Sequence, residues 1–135
     1  MDVRKYAVEE TGTLELRGPD DEPMLGEDGL PMTITGYGPG SKSYAKAQAA
    51  NQNRMIDKLK RKGKTDQSAE EKAREQADFL AGCTKEFSAN IEYDGLKGEA
   101  LFKAVYADTS IGFIAEQFGK WLGDWNSFTK GLPKP

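Results

Sequence analysis

TSIGFIAEQFGKWLGDWNSFT, residues 109–129, is the stretch on which the reading of this chain turns. Ile111, Ile114, Phe118, Trp121, Leu122, Trp125 and Phe128 recur at steps of three and four. At 3.6 residues per turn they fall within an arc of about 120°. Glu116, Lys120, Asp124 and Ser127 take the other side, so the spacing predicts one amphipathic helix. Both tryptophans of the protein lie on its apolar stripe. Aromatic side chains bury large areas, and this helix is therefore expected to supply much of the core. Gly112, Gly119 and Gly123 share one side of it, next to the stripe. Three glycines inside a helix cost about 3 kcal/mol together relative to alanine. Close packing against a neighbour, a break near Gly119, or a partly exposed docking segment would each account for them.

Upstream, the composition sets bounds. The chain has 135 residues, 37% hydrophobic and 30% charged, with a net charge of −3. That length supports a modest core and one domain. The charge balance is too mild to call for nucleic acid or membrane. One cysteine excludes an internal disulfide framework and fits a reducing compartment. The start, MDVRKYAVEE, has no apolar core for a secretory signal. No run approaches the ~18 apolar residues of a membrane span, so a cytoplasmic location is expected. Histidine is absent. That removes the commonest general base and metal ligand, and no metal, cofactor or catalytic residue is expected.

Thr13 to Arg17 and Met32 to Tyr37 read as strands, separated by a long acidic loop with turn chemistry at Gly18-Pro19-Asp20-Asp21 and Asp28-Gly29. No internal repeat stands out. Gly36-Tyr37-Gly38-Pro39-Gly40-Ser41 lacks the ending of a phosphate loop and reads as a flexible joint. Ser43 to Lys62 is rich in helix formers and ends near Gly63-Lys64. Ser68 and Glu71 match a capping box opening a second helix that runs to about Ser88, with Cys83 beside its apolar face. Asn90 to Leu96 is expected to be extended with an Asp-Gly turn, and Glu99 to Ala107 a short helix. The fold class is α+β: an N-terminal β-hairpin or small antiparallel sheet (1–40), about four helices forming one compact domain with it (41–130), and a loose tail (131–135).

Two charged clusters invite a functional reading. Asp20, Asp21, Glu22, Glu27 and Asp28 do not have calcium-loop spacing and read as solvated turns. Arg54, Lys58, Lys60, Arg61, Lys62 and Lys64 make no single stripe and have no interleaved aromatics, so nucleic-acid binding is not the expected role.

Three segments together resemble the tail assembly chaperones of long-tailed bacteriophages and prophages. They are TLELRGPDDEPMLGEDGLPMTITGYGPGS, the helical middle SYAKAQAANQNRMIDKLKRK, and FLAGCTKEFSANIEYDG followed by FIAEQFGKWLGDWNSF. The resemblance spans roughly residues 11–130 as an order of segments. It implies a non-enzymatic protein in the bacterial host cytoplasm that binds the tape measure protein and the tail tube protein. A structural virion component, such as a minor tail or head–tail joining protein, shares this composition, and a small nucleic-acid-binding regulator rests on the basic helix alone. No binding motif transfers residue by residue. Partner contacts are expected at the exposed part of Phe113, Phe118, Trp121, Trp125 and Phe128, with Tyr44, Met55 and Leu59 on a second surface.

Overall fold

The computed structural model describes residues 2–62 and 69–129. Over the described residues the fold is α+β, a three-stranded antiparallel sheet with four α-helices. Strand β1 (Thr11–Glu15) pairs with β2 (Thr33–Tyr37), and β2 pairs with β3 (Thr84–Phe87). Between β2 and β3 the chain forms α1 (Lys42–Lys62) and α2 (Ala69–Gly82); α3 (Gly98–Ala107) and α4 (Gly112–Leu122) complete it. The helix end expected at Gly63-Lys64, the Ser68 cap and the loose tail at 131–135 lie outside the described residues.

Ser41 starts α1. Its hydroxyl accepts the amide of Tyr44 at 3.1 Å and donates to the carbonyl of Gly38 at 2.7 Å, tying the helix start to the end of β2. α2 stops at Gly82, earlier than the expected Ser88. The cause is tertiary: the carbonyl of Cys83 accepts the amide of Tyr37 at 2.7 Å, and Ser88 donates its amide to Thr33 at 2.8 Å. Leu80, Thr84 and Phe87 have helical spacing, yet 84–87 becomes the third strand because β2 offers it an unpaired edge.

The expected single helix at 109–129 is three pieces. A 3₁₀ turn (Thr109–Ile111) precedes α4, and a second (Trp125–Phe128) comes after Gly123. Asp124 accepts the amide of Asn126 with its side chain and so caps the new turn. The break falls at Gly123, not Gly119. A Cβ at Gly112 or Gly119 would meet nothing within 4 Å, so neither serves close packing.

A floor of glycines in the sheet makes room for the aromatic residues. Gly12 and Gly36 are cross-strand partners. A Cβ at Gly36 would lie 2.9 Å from the ring of Phe118, and one at Gly38 2.6 Å from Phe128. The Gly36–Gly40 segment joins β2 to α1 as expected, but Gly36 and Gly38 are buried seats for rings rather than slack. Rings then touch in series: Phe102, Phe87, Tyr106, Phe118, Trp121 and Phe128, with centroids 4.6 to 5.7 Å apart. Leu16 and Ile34 from the sheet side and Leu80, Leu101, Val105, Ile114 and Leu122 from the helices belong to the same buried cluster.

The acidic loop holds an internal repeat, contrary to the sequence reading. Residues 16–23 and 24–31 are tandem eight-residue turns. In the first, Gly18 donates its amide to Glu22 and Asp21 donates to Gly18, both at 2.9 Å; in the second, Gly26 donates to Leu30 and Gly29 to Gly26, again at 2.9 Å. Asp20 accepts the amide of Glu22, and Asp28 that of Leu30. Both turns place their sixth residue in the left-handed region, Asp21 at φ 64° and Gly29 at φ 76°. Leu16 and Met24 open the two turns, Met32 stands directly after the second, and the three backbones close a ring. Leu16 donates to Met32, Met32 to Met24 and Met24 to Leu16, at 2.9 to 3.0 Å. The signal was in the sequence, as Gly18/Gly26, Asp20/Asp28 and Pro23/Pro31 at a spacing of eight.

Candidate functional site

The aromatic residues expected to meet a partner divide into two sets. Phe118 and Phe128 are 0% and 1% exposed, so they belong to the core. Trp121 is half-buried between Phe118 and Phe128. Phe113 is half-buried beside the first acidic turn, in a shallow depression with Arg17, Pro19 and Gln117. Tyr44 is half-buried, its ring edge-on to Phe79 at 5.7 Å, which ties α1 to α2. The side chains of Met55 and Leu59 lie outside the described residues. Trp125 alone of the described set is largely exposed, at 56%. Its ring approaches Gly40, where Val8 also packs. The short turn that carries it makes this possible: a continuous helix would have rolled Trp125 onto the buried stripe.

A second apolar surface has no counterpart among the sites expected from the sequence. A groove of about 720 Å³ lies between β3, the segment 88–97 and the start of α3. Phe87, Ile91, Tyr93, Leu96, Leu101 and Phe102 line it. Asp94 and Gly95 both have positive φ, 51° and 70°, and Leu96 donates its amide to Tyr93 at 3.0 Å. This is the tight Asp-Gly turn expected from the sequence, and it leaves Leu96 at the groove's lip, 38% exposed. Tyr93 is held by its hydroxyl, which donates to Asp108 at 2.8 Å. That hydrogen bond to a negatively charged acceptor raises the Tyr93 phenol above its ordinary range. Hydrogen bonds from Ser110 and Tyr93 in turn lower the Asp108 carboxyl. β3 is an edge strand, so one wall of the groove is a strand with no neighbour on its outer side among the described residues. The sequence signal was present, as apolar residues at 87, 91, 93 and 96, but without the third strand they had no common face.

The groove offers apolar burial beside a strand edge open to main-chain hydrogen bonding. Cys83, near it in sequence, is 0% exposed, and burial pushes its thiol up to about 12. It is a buried small side chain with no thiolate to offer. No group of three or more metal-ligating side chains comes together among the described residues. In the acidic turns, the Asp20 and Asp28 carboxylates are committed to their own backbones, and Asn90 donates to Asp28 as well. Arg54, the first residue of the basic run, is half-buried among Asp78, Ala81 and Lys103 rather than displayed. No helix of the described residues is long and apolar enough to cross a membrane.

No protein-family model matches the chain, and neither a curated protein nor a solved structure matches it.

Proposed function

We propose that this protein is a non-enzymatic tail assembly chaperone of a bacteriophage or prophage, binding the tape measure protein, the tail tube protein or both while the tail is built. The observation that supports this reading best is the apolar groove beside β3. An open strand edge next to half-buried aromatic walls suits an extended apolar segment, which gains main-chain hydrogen bonds and side-chain burial together. Such segments are what unassembled tail subunits must keep from aggregating. Trp125 adds a separate exposed aromatic contact.

Co-expression with the neighbouring tail tube and tape measure proteins, with affinity capture and mass spectrometry of purified particles, tests the proposal. Capture of either protein, lost on Leu96→Asp with Phe102→Ser and absent from mature particles, supports it. Presence in the particles would reassign the protein as a virion component. Capture of neither would overturn the reading.

A further inference from the structure

A different surface, independent of the groove and of the chaperone reading, carries a second inference. α1 packs on α2 through Ala47 and the half-buried Ser43, Tyr44, Asn51 and Arg54. Opposite that seam lies a stripe at spacings of four, three, four, three and four: Lys42, Lys46, Ala49, Asn53, Ile56 and Lys60. All six are exposed, Ile56 at 49%. The stripe therefore has lysines at both ends, small or neutral residues between, and one uncovered branched apolar side chain. Over its length α1 has seven basic residues and one acid.

The tandem turns are its complement. From Glu9 to Pro31 the chain has eight acids and one arginine. Glu22 and Glu27 are exposed, and between them Leu25 is 56% exposed; Leu30, further along, is 60% exposed. The turns are braced from below, which presents them as a fixed shape. Gln117 both donates to and accepts from the backbone of Arg17 at 2.9 Å, and Asn90 donates to Asp28 and to the carbonyl of Leu30. Among the described residues, no ion pair or side-chain hydrogen bond joins these turns to α1 of the same chain. Ion pairs form instead between Arg4 and Asp2, between Lys103 and both Asp78 and Glu99, and between Lys120 and Glu116.

We infer that the outer face of α1 docks the acidic tandem turns of a second copy of this chain, Leu25 and Leu30 against the Ala49–Ile56 strip and the flanking acids against the terminal lysines. Opposite charge at the rims steers the encounter, and the apolar centres supply burial. The two surfaces differ, so the contact is heterologous: the pair is left with one acidic face free on one copy and one basic face free on the other, and assembly proceeds head to tail.

Sedimentation velocity on the full chain tests this. Average mass should climb with protein concentration at about 0.1 M salt, and the association constant should drop about tenfold or more at about 1 M, where the screening length falls from roughly 10 Å to roughly 3 Å. Lys42→Glu/Lys46→Glu/Lys60→Glu should be monomeric, and so should Glu22→Lys/Glu27→Lys; both sets are exposed and should retain the wild-type circular dichroism. Mixing the two variants should restore association, because each then meets its charge-swapped complement. A wild-type chain that stays monomeric at low salt would overturn the inference, as would association untouched by both variants. Binding of a short DNA duplex by a chain that stays monomeric would overturn it too, assigning the α1 face to a polyanion.

Discussion

The hydroxyl of Tyr106, on α3, lies 2.7 Å from the hydroxyl of Thr84, the first residue of β3, with both side chains buried. Thr84 also sits 2.7 Å from the carbonyl of Leu80, which can only accept. The Thr84 proton therefore goes to Leu80, and Tyr106 donates to Thr84. The order of donors sets the order of costs. Thr84→Val leaves the Tyr106 donor buried without an acceptor and should cost about 1–3 kcal/mol, whereas Tyr106→Phe removes the donor itself and should cost about 1 kcal/mol. Urea denaturation of the two variants checks the ranking; equal costs would mean the donor order is wrong.

Alkaline pH should destabilise the fold through Cys83 and Tyr106. Burial pushes Cys83 from an ordinary 9.0 up to about 12, and raises Tyr106 well above the ordinary tyrosine value. Above pH 9 the unfolded thiol ionises while the folded one stays protonated, so the unfolded state binds fewer protons and stability falls as pH rises toward 12. Cys83→Ala should be less stable at pH 7, since it leaves a void, yet show a shallower alkaline slope. A thiol reagent should leave native Cys83 untouched and label it fully in denaturant.

Two glycine substitutions should act with opposite signs. Gly119 is inside α4 with open space around it, so Gly119→Ala should stabilise by about 0.5–1 kcal/mol by restricting the unfolded chain. A Cβ at Gly36 would lie 2.9 Å from the Phe118 ring and 3.0 Å from Trp121, so Gly36→Ala should force these rings off the sheet and cost about 1–3 kcal/mol. Melting temperatures decide both.

The tandem turns make a matched test of backbone conformation. Gly29 has a φ of 76° and a Cβ added there would meet nothing within 4 Å, so Gly29→Ala incurs only the strain of the left-handed backbone, about 1 kcal/mol. Asp21 occupies the equivalent place at φ 64°, and Asp21→Gly should change stability by less than about 0.5 kcal/mol. Thermal unfolding of the two variants reads the difference. A Gly29→Ala variant as stable as wild type would show that the second turn does not hold the first one's shape.

The parts of the fold that obey local rules were legible in the sequence. α1 begins one residue before the expected Ser43, α3 one residue before Glu99, and the 94–95 turn is where Asp-Gly placed it. The hidden parts depend on partners distant along the chain. Thr84 and Phe87 fit a helix face as well as a strand, and only the edge of β2 decides between them. The groove inherits that ambiguity, because Phe87 forms one of its walls only once β3 exists. Gly123 and Asp124 did carry local information, a flexible position before a capping side chain, but an unbroken apolar period masked it.

The split between buried and exposed aromatics separates contact from folding. Phe118→Ala empties a fully buried site against Tyr106 and Trp121 and should cost about 3–5 kcal/mol. Any partner lost by that variant is lost through unfolding. Trp125→Phe removes a side chain that is 56% exposed and should shift the unfolding midpoint little, under about 1 kcal/mol. The remaining tryptophan, Trp121, is packed between two phenylalanines. The emission maximum of Trp125→Phe should therefore move to the blue and acrylamide quenching should fall. If the spectrum stays red and easily quenched, Trp121 is solvent-exposed and the last turn does not fold onto the glycine floor. If the spectrum moves as expected and tail-protein capture drops while stability holds, Trp125 is a contact residue.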